Sequence, residues 1–83
     1  MNDQFKHAVD AALKGEWNKA HVIVQEYSDV TACWIHAVLH KIEGDVGNSR
    51  YWYARAQRSY DEYADPDAEL KAISAYIEAA KPH

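Results

Sequence analysis

Eighty-three residues with a formal net charge of −4 suffice for one small domain, near the lower size at which a single core sustains itself. The acidic balance excludes a general nucleic-acid binder, which needs clustered positive charge to neutralise phosphates. The single cysteine, Cys33, cannot close an internal disulfide, the N-terminus has no charged-then-apolar leader pattern, and no apolar run approaches the ~20 residues of a membrane span, so a cytoplasmic protein without membrane contact is expected.

Aromatic residues make up 12% of the chain, with three Trp and six Tyr, and they supply burial that a short chain otherwise lacks. From Asp3 to Lys14, Phe5, Val9, Ala12 and Leu13 recur at helical spacing, and Gly15 follows where a helix commonly ends in a left-handed residue. Trp17, Ala20, Ile23, Val24 and Tyr27 form the apolar stripe of a second helix. Ser28 and Asp29 suit the cap of a third, from about Val30 to Glu43, with Trp34, Ile35, Val38, Leu39 and Ile42 facing a core and Gly44 closing it. Asp45 caps a fourth, whose stripe of Val46, Trp52, Tyr53, Ala56, Tyr60 and Tyr63 carries it to roughly Tyr63. Asp65-Pro66-Asp67 then supplies an N-cap, a first-turn proline and a first-turn acid for a fifth helix that presents Leu70, Ile73, Tyr76, Ile77 and Ala80. No segment alternates like a strand, and the short connections predict an all-α, single-domain bundle of five antiparallel helices.

The first half of the chain lies on the second at a constant offset. Phe5, His7, Ala8, Val9, Leu13, Gly15, Glu16, Ala20 and Val22 match Trp34, His36, Ala37, Val38, Ile42, Gly44, Asp45, Ser49 and Tyr51, each pair 29 residues apart. A repeated helical hairpin of this kind buries its face only against a neighbour. It predicts hairpins over about 3–27 and 30–63, with a capping helix over about 66–80. The corners L-K-G-E-W-N-K-A and I-E-G-D-V-G-N-S, with Y-W-Y-A-R-A after the second, resemble tetratricopeptide and especially Sel1-like repeats, although the period is shorter than the usual ~34 residues. H-A-V-L-H-K-I-E-G-D-V-G-N-S-R-Y-W is also similar to an H-x-x-x-H-[K/R]-x-E-G-D-x-x-N-x-x-Y-W pattern of small proteins without an assigned function. The repeat resemblance implies stacking of hairpins and a role in binding or assembly; the second pattern implies no activity.

On the third helix Cys33, His36, His40 and Glu43 fall at i, i+3, i+7 and i+10, a polar stripe opposite the expected core face. His36 and His40 have the spacing by which two imidazoles on a helix grip Zn²⁺, and Glu43 could supply an oxygen or orient a ring. H-A-V-L-H lacks the Glu that follows the first His in H-E-x-x-H hydrolases, so no general base is built in. Four ligands along a straight helix also span too far to meet one ion, so a metal needs a ligand from another helix. His7, equivalent to His36 by the offset, is the candidate.

The same stripe reads equally as one wall of a concave groove for a peptide or other ligand, opposite Gln4, His7, Ala11 and Lys14, with binding sensitive to imidazole charge near pH 6.5. It also reads as polar side chains whose hydrogen bonds are satisfied between helices. Tyr51, Arg55 and Arg58 form a second polar surface, able to stack or clamp a carboxylate, or to pair along the helix with Asp61 and Glu62. Cys33 has no evident activating group beyond His36. The expectation is therefore a non-catalytic binding or assembly module, requiring no cofactor, with a protein or peptide partner and a homodimer formed through an open end of the stack. The alternative is a small metal-binding protein or metal-dependent hydrolase centred on His36 and His40.

Overall fold

The computed structural model describes residues 3–80. They form five helices, α1 (Asp3–Leu13), α2 (Trp17–Val24), α3 (Val30–Ile42), α4 (Val46–Ala56) and α5 (Pro66–Ala80), with a 3-10 turn at Tyr60–Glu62 and no strand among the described residues. The fold is all-α. α1 packs on α2 and α3 on α4, while α2 also lies on α3 and α5 lies across both α1 and α3. No described helix is long and apolar enough to cross a membrane.

The two hairpin corners are built alike. Gly15 has φ 80° and Gly44 φ 81°, the left-handed conformation that glycine adopts without steric cost. The residue after each glycine donates its backbone N–H back across the last helical turn, Glu16 to the Ala11 carbonyl and Asp45 to the His40 carbonyl, which satisfies carbonyls that the helix leaves unpaired. Asp45 then caps α4 by accepting from the Asn48 N–H at 3.2 Å. Asp65 accepts from the Asp67 N–H at 3.1 Å as α5 begins on Pro66. Asp29 occupies the corresponding position before α3 without a side-chain cap.

α3 is the axis of the molecule. Every residue from Thr31 to His40 is buried, because α1, α2, α4 and α5 all pack around this helix. The sequence has no Asp, Glu, Lys or Arg between Val30 and His40, and a helix without a charged face is one that the rest of a fold can enclose. The expected division of α3 into a core face and an open polar face is therefore corrected. Cys33 is 1% exposed within the core, whereas Ile42, expected inside, is 43% exposed at the C-terminal end of α3. Val46 and Tyr76 also stand outside the core.

α4 ends at Ala56, short of the expected Tyr63. Gln57 turns into the left-handed region at φ 59°, and the Arg58 N–H returns to the Tyr53 carbonyl. Tertiary contacts favour this break over helix continuation. It places the Arg58 guanidinium 3.5 Å above the Trp34 ring and leaves the Tyr60 and Tyr63 carbonyls to accept from Lys41 Nζ, each at 2.9 Å. Lys41 donates its third hydrogen bond to Glu69 at 2.9 Å. Glu69 is completely buried and also accepts from Trp34 Nε1 at 2.9 Å and from the Tyr53 hydroxyl at 2.7 Å. One carboxylate thus joins α3, α4 and α5.

Candidate metal centre

His36 and His40, one helical turn apart on α3, bring their ring centroids to 5.0 Å. α2 adds His21, with centroids 4.8 Å from His36 and 5.5 Å from His40. One ligand atom from each of the three rings lies within 4.8 Å of the other two. Two helices thus supply what a straight helix cannot: imidazoles converging from different directions.

Indoles hold the cluster on both sides. Trp17 opens α2 and donates Nε1–H to the Leu39 carbonyl at 2.7 Å, which fixes the start of α2 against the end of α3. Its ring stacks on His21 at 4.8 Å and meets His40 edge-on at 5.9 Å. From α4, Trp52 stacks on His36 with centroids 3.9 Å apart and planes only 11° from parallel. Ring–ring contacts of this kind restrict imidazole rotation as well as burying apolar surface.

His36 and His40 are 5% and 6% exposed, and His21 is half-buried. His40 Nδ1 sits 2.5 Å from Glu43 Oε1, which leaves Nε2 as the nitrogen open to an ion. His36 Nδ1 is buried without a hydrogen-bond partner among the described residues, an arrangement that costs about 1–3 kcal/mol when nothing compensates it. Burial, followed by the neighbouring His21 and His40, pushes the His36 pKa down to about 4. His21 is lowered by burial and then by His40, with Glu43 acting in the opposite direction. Both rings are therefore held neutral at physiological pH, the form in which imidazole ligates metals.

His7 is the expected ligand that the fold places elsewhere. It is exposed on α1 and lines a cavity with Gln4, Asp10, Ala11 and Lys14, facing Lys19 and Ile23 of α2 and Glu16 just before it. The offset of 29 preserves each histidine's relation to its own hairpin: His7 shares a cavity with Ile23 as His36 stacks on Trp52, the residue equivalent to Ile23. In the second hairpin α2 covers that face and contributes His21; in the first no described helix covers it. The expected groove consequently has its α1 wall, but its other wall is α2, and His36 and His40 are enclosed beneath α2. Cys33 lies outside the cluster, with Sγ donating to the Ser28 carbonyl at 3.7 Å. Glu43 does meet His40, and a second group of ligand-type atoms joins His40 and Glu43 to the exposed Asp45.

His21 is the residue that the sequence reading missed. It stands four residues after Trp17 and three before Val24, within the apolar stripe of α2, so helical spacing alone aims it at the core. Only part of the second polar surface forms: Arg55 lies over the exposed Tyr51 ring at 5.8 Å and over Trp52 at 5.3 Å, whereas Arg58 follows the end of α4 and lies over Trp34 instead. Arg58 pairs with Glu62 of the 3-10 turn at 3.4 Å, across the break that follows α4. Comparison of the chain with protein families, with curated proteins and with solved structures finds no match in any of the three.

Proposed function

We propose that this protein binds a divalent transition-metal ion through His21, His36 and His40. The observation that carries the reading is the convergence of three imidazole ligand atoms within 4.8 Å of one another. Two of the rings are almost fully enclosed, and one has a buried nitrogen without a partner among the described residues. A cluster of imidazoles suits zinc, copper or nickel and not the oxygen-seeking calcium or magnesium. Glu43 on His40 Nδ1 has the place of the carboxylate that orients a ligating histidine in many metal sites. Zinc dialysis tests the reading: tag-free protein stripped with a chelator should retain about one equivalent, the stoichiometry of a single site, and His21→Ala with His36→Ala should retain none. Equal zinc in the wild type and the double variant would sink it.

A second reading rests on the cavity between α1 and α2. Its mixed lining of His7, Asp10, Lys14, Glu16 and Lys19 around Ile23 has the polar groups and apolar floor by which stacked helical hairpins hold a peptide, and the resemblance to tetratricopeptide and Sel1-like repeats supports it. A peptide selected on the wild-type protein should bind more weakly to a His7→Ala, Lys14→Ala variant. Selected peptides indifferent to both substitutions would place recognition on another surface.

A further inference from the structure

We propose that an ion held by His21, His36 and His40 keeps a coordination position for a small exogenous anion, so that the loaded protein is itself a receptor for a monodentate anionic ligand. This rests on the metal-binding reading above and extends it from the ion to what the ion binds.

The donor count comes first. Among the described residues, the group that joins His21, His36 and His40 contains no carboxylate or thiolate; a second group shares only His40 with it and adds Glu43 and Asp45. Of these acids, Glu43 has its Oε1 committed to Nδ1 of His40. The two nitrogens of an imidazole point to different sides of the ring, so an oxygen bound at Nδ1 cannot also reach an ion held at Nε2. Cys33 is turned away toward the Ser28 carbonyl. Three protein nitrogens leave a four-coordinate ion one ligand short, the condition in which metal sites take water or another exogenous ligand.

Access and charge follow. His36 and His40 close the inner side, while His21 on the short α2 is half-buried and marks the side nearer to solvent. Three imidazole ligands leave the double charge of the ion uncancelled, and the groups stacked on them are the indoles of Trp17 and Trp52. Beyond Trp52 lies another cation, the Arg55 guanidinium, 5.3 Å from the indole centroid. A doubly charged cation with indole walls and an arginine nearby, its two neighbouring carboxylates, Glu43 and Asp45, lying on the His40 side, favours an anion over a neutral ligand in the remaining position.

Cobalt(II) and azide test this. The chelator-stripped, tag-free chain is loaded with Co²⁺, freed of excess ion, and titrated with sodium azide while the visible d–d absorption is recorded. The expected result is a band that moves and saturates with azide while the cobalt stays bound, and that is absent from His21→Ala. In Glu43→Gln the azide response should persist, with cobalt affinity about 10–100-fold weaker, as for loss of a ligand-orienting partner. Cobalt taken up with a spectrum indifferent to azide would overturn the proposal and leave the metal-binding reading intact. So would a response found only in Glu43→Gln, because Glu43 would then be the fourth ligand. Failure to take up cobalt, or an equal band in His21→Ala, would overturn both.

Discussion

Glu69 is a carboxylate without solvent exposure, held by an ammonium, an indole and a phenol. With Lys41, Trp34 and Tyr53 all donating to it, its charge is compensated in place. Burial, and then the bond to Glu69, push the Tyr53 phenol pKa up, so it remains a donor. Removing one member strands the others: Glu69→Ala leaves a buried Lys41 and two unsatisfied donors and should lower stability by about 3–5 kcal/mol in urea unfolding. A loss below about 1 kcal/mol would mean that water enters and replaces the carboxylate. This network was not legible in the sequence, where Glu69 is only an acid near a helix start and Lys41 a charge near a helix end; 28 residues separate them, and only the fold joins them. His36 acts in a different pH range. The folded pKa of His36, about 4, lies below its ordinary 6.5, so the unfolded chain binds the proton more readily. Metal-free protein should therefore hold the full contribution above pH 6.5, lose it progressively as pH falls toward 4, and lose no more from this group below that. The shift corresponds to roughly 3 kcal/mol. Urea unfolding at pH 7, 5.5 and 4.5 on wild type and His36→Gln measures it, and equal acid slopes in the two proteins would remove His36 as the cause.

At the scale of the element, three left-handed residues decide where helices stop, and only two are glycines. Gly15 and Gly44 announce their corners in the sequence because glycine reaches φ near 80° without steric cost. A methyl group built at either meets no atom within 4 Å, so the cost of alanine there is conformational: Gly15→Ala or Gly44→Ala should each destabilise by ~1 kcal/mol. Gln57 has the same handedness with a side chain, so Gln57→Gly should change stability in the opposite direction by up to ~1 kcal/mol. Thermal midpoints of the three variants test the signs, and a destabilised Gln57→Gly would show that the Gln57 side chain outweighs its backbone strain. The contrast explains what was readable. Capping residues, glycines and the proline mark α1, α3 and α5 within about a residue of their observed bounds; α2 stops at Val24, short of the expected Tyr27, and the apolar run through Tyr60 and Tyr63 continues the helical pattern past a break that Lys41 and Trp34 impose from α3. Spacing also put His36 and His40 together correctly, but it could not show that α2 would cover them and bring His21.

For the whole molecule, the exposed Val22, Val30, Ile42, Val46, Tyr51 and Tyr76 are spread over four helices, and a dimer through the open end of the stack has only Tyr76 of α5 among them to cover. A symmetric dimer should register as twice the 9.5 kDa chain mass in light scattering; a monomer at high micromolar concentration would discount it. Metal occupancy bears on the stability of the entire chain, because among the described helices α2 packs on α1 and α3 alone and an ion shared by His21, His36 and His40 would tie it to the central helix a second time. The unfolded chain does not hold the three rings together, so an ion that binds the folded state alone adds RT ln(1 + [L]/Kd), about 2.7 kcal/mol at a free concentration a hundredfold above Kd. For a domain of this size each kcal/mol moves Tm by about 4–8 °C, so zinc should raise Tm by roughly 10–20 °C. His21→Ala is the decisive control, since His21 is half-buried and its loss removes a ligand without emptying the core. The variant should unfold close to the metal-free wild type and ignore added zinc, and magnesium should move neither protein. A zinc-dependent rise of equal size in His21→Ala would place the ion on other residues and return His36 and His40 to the scaffold.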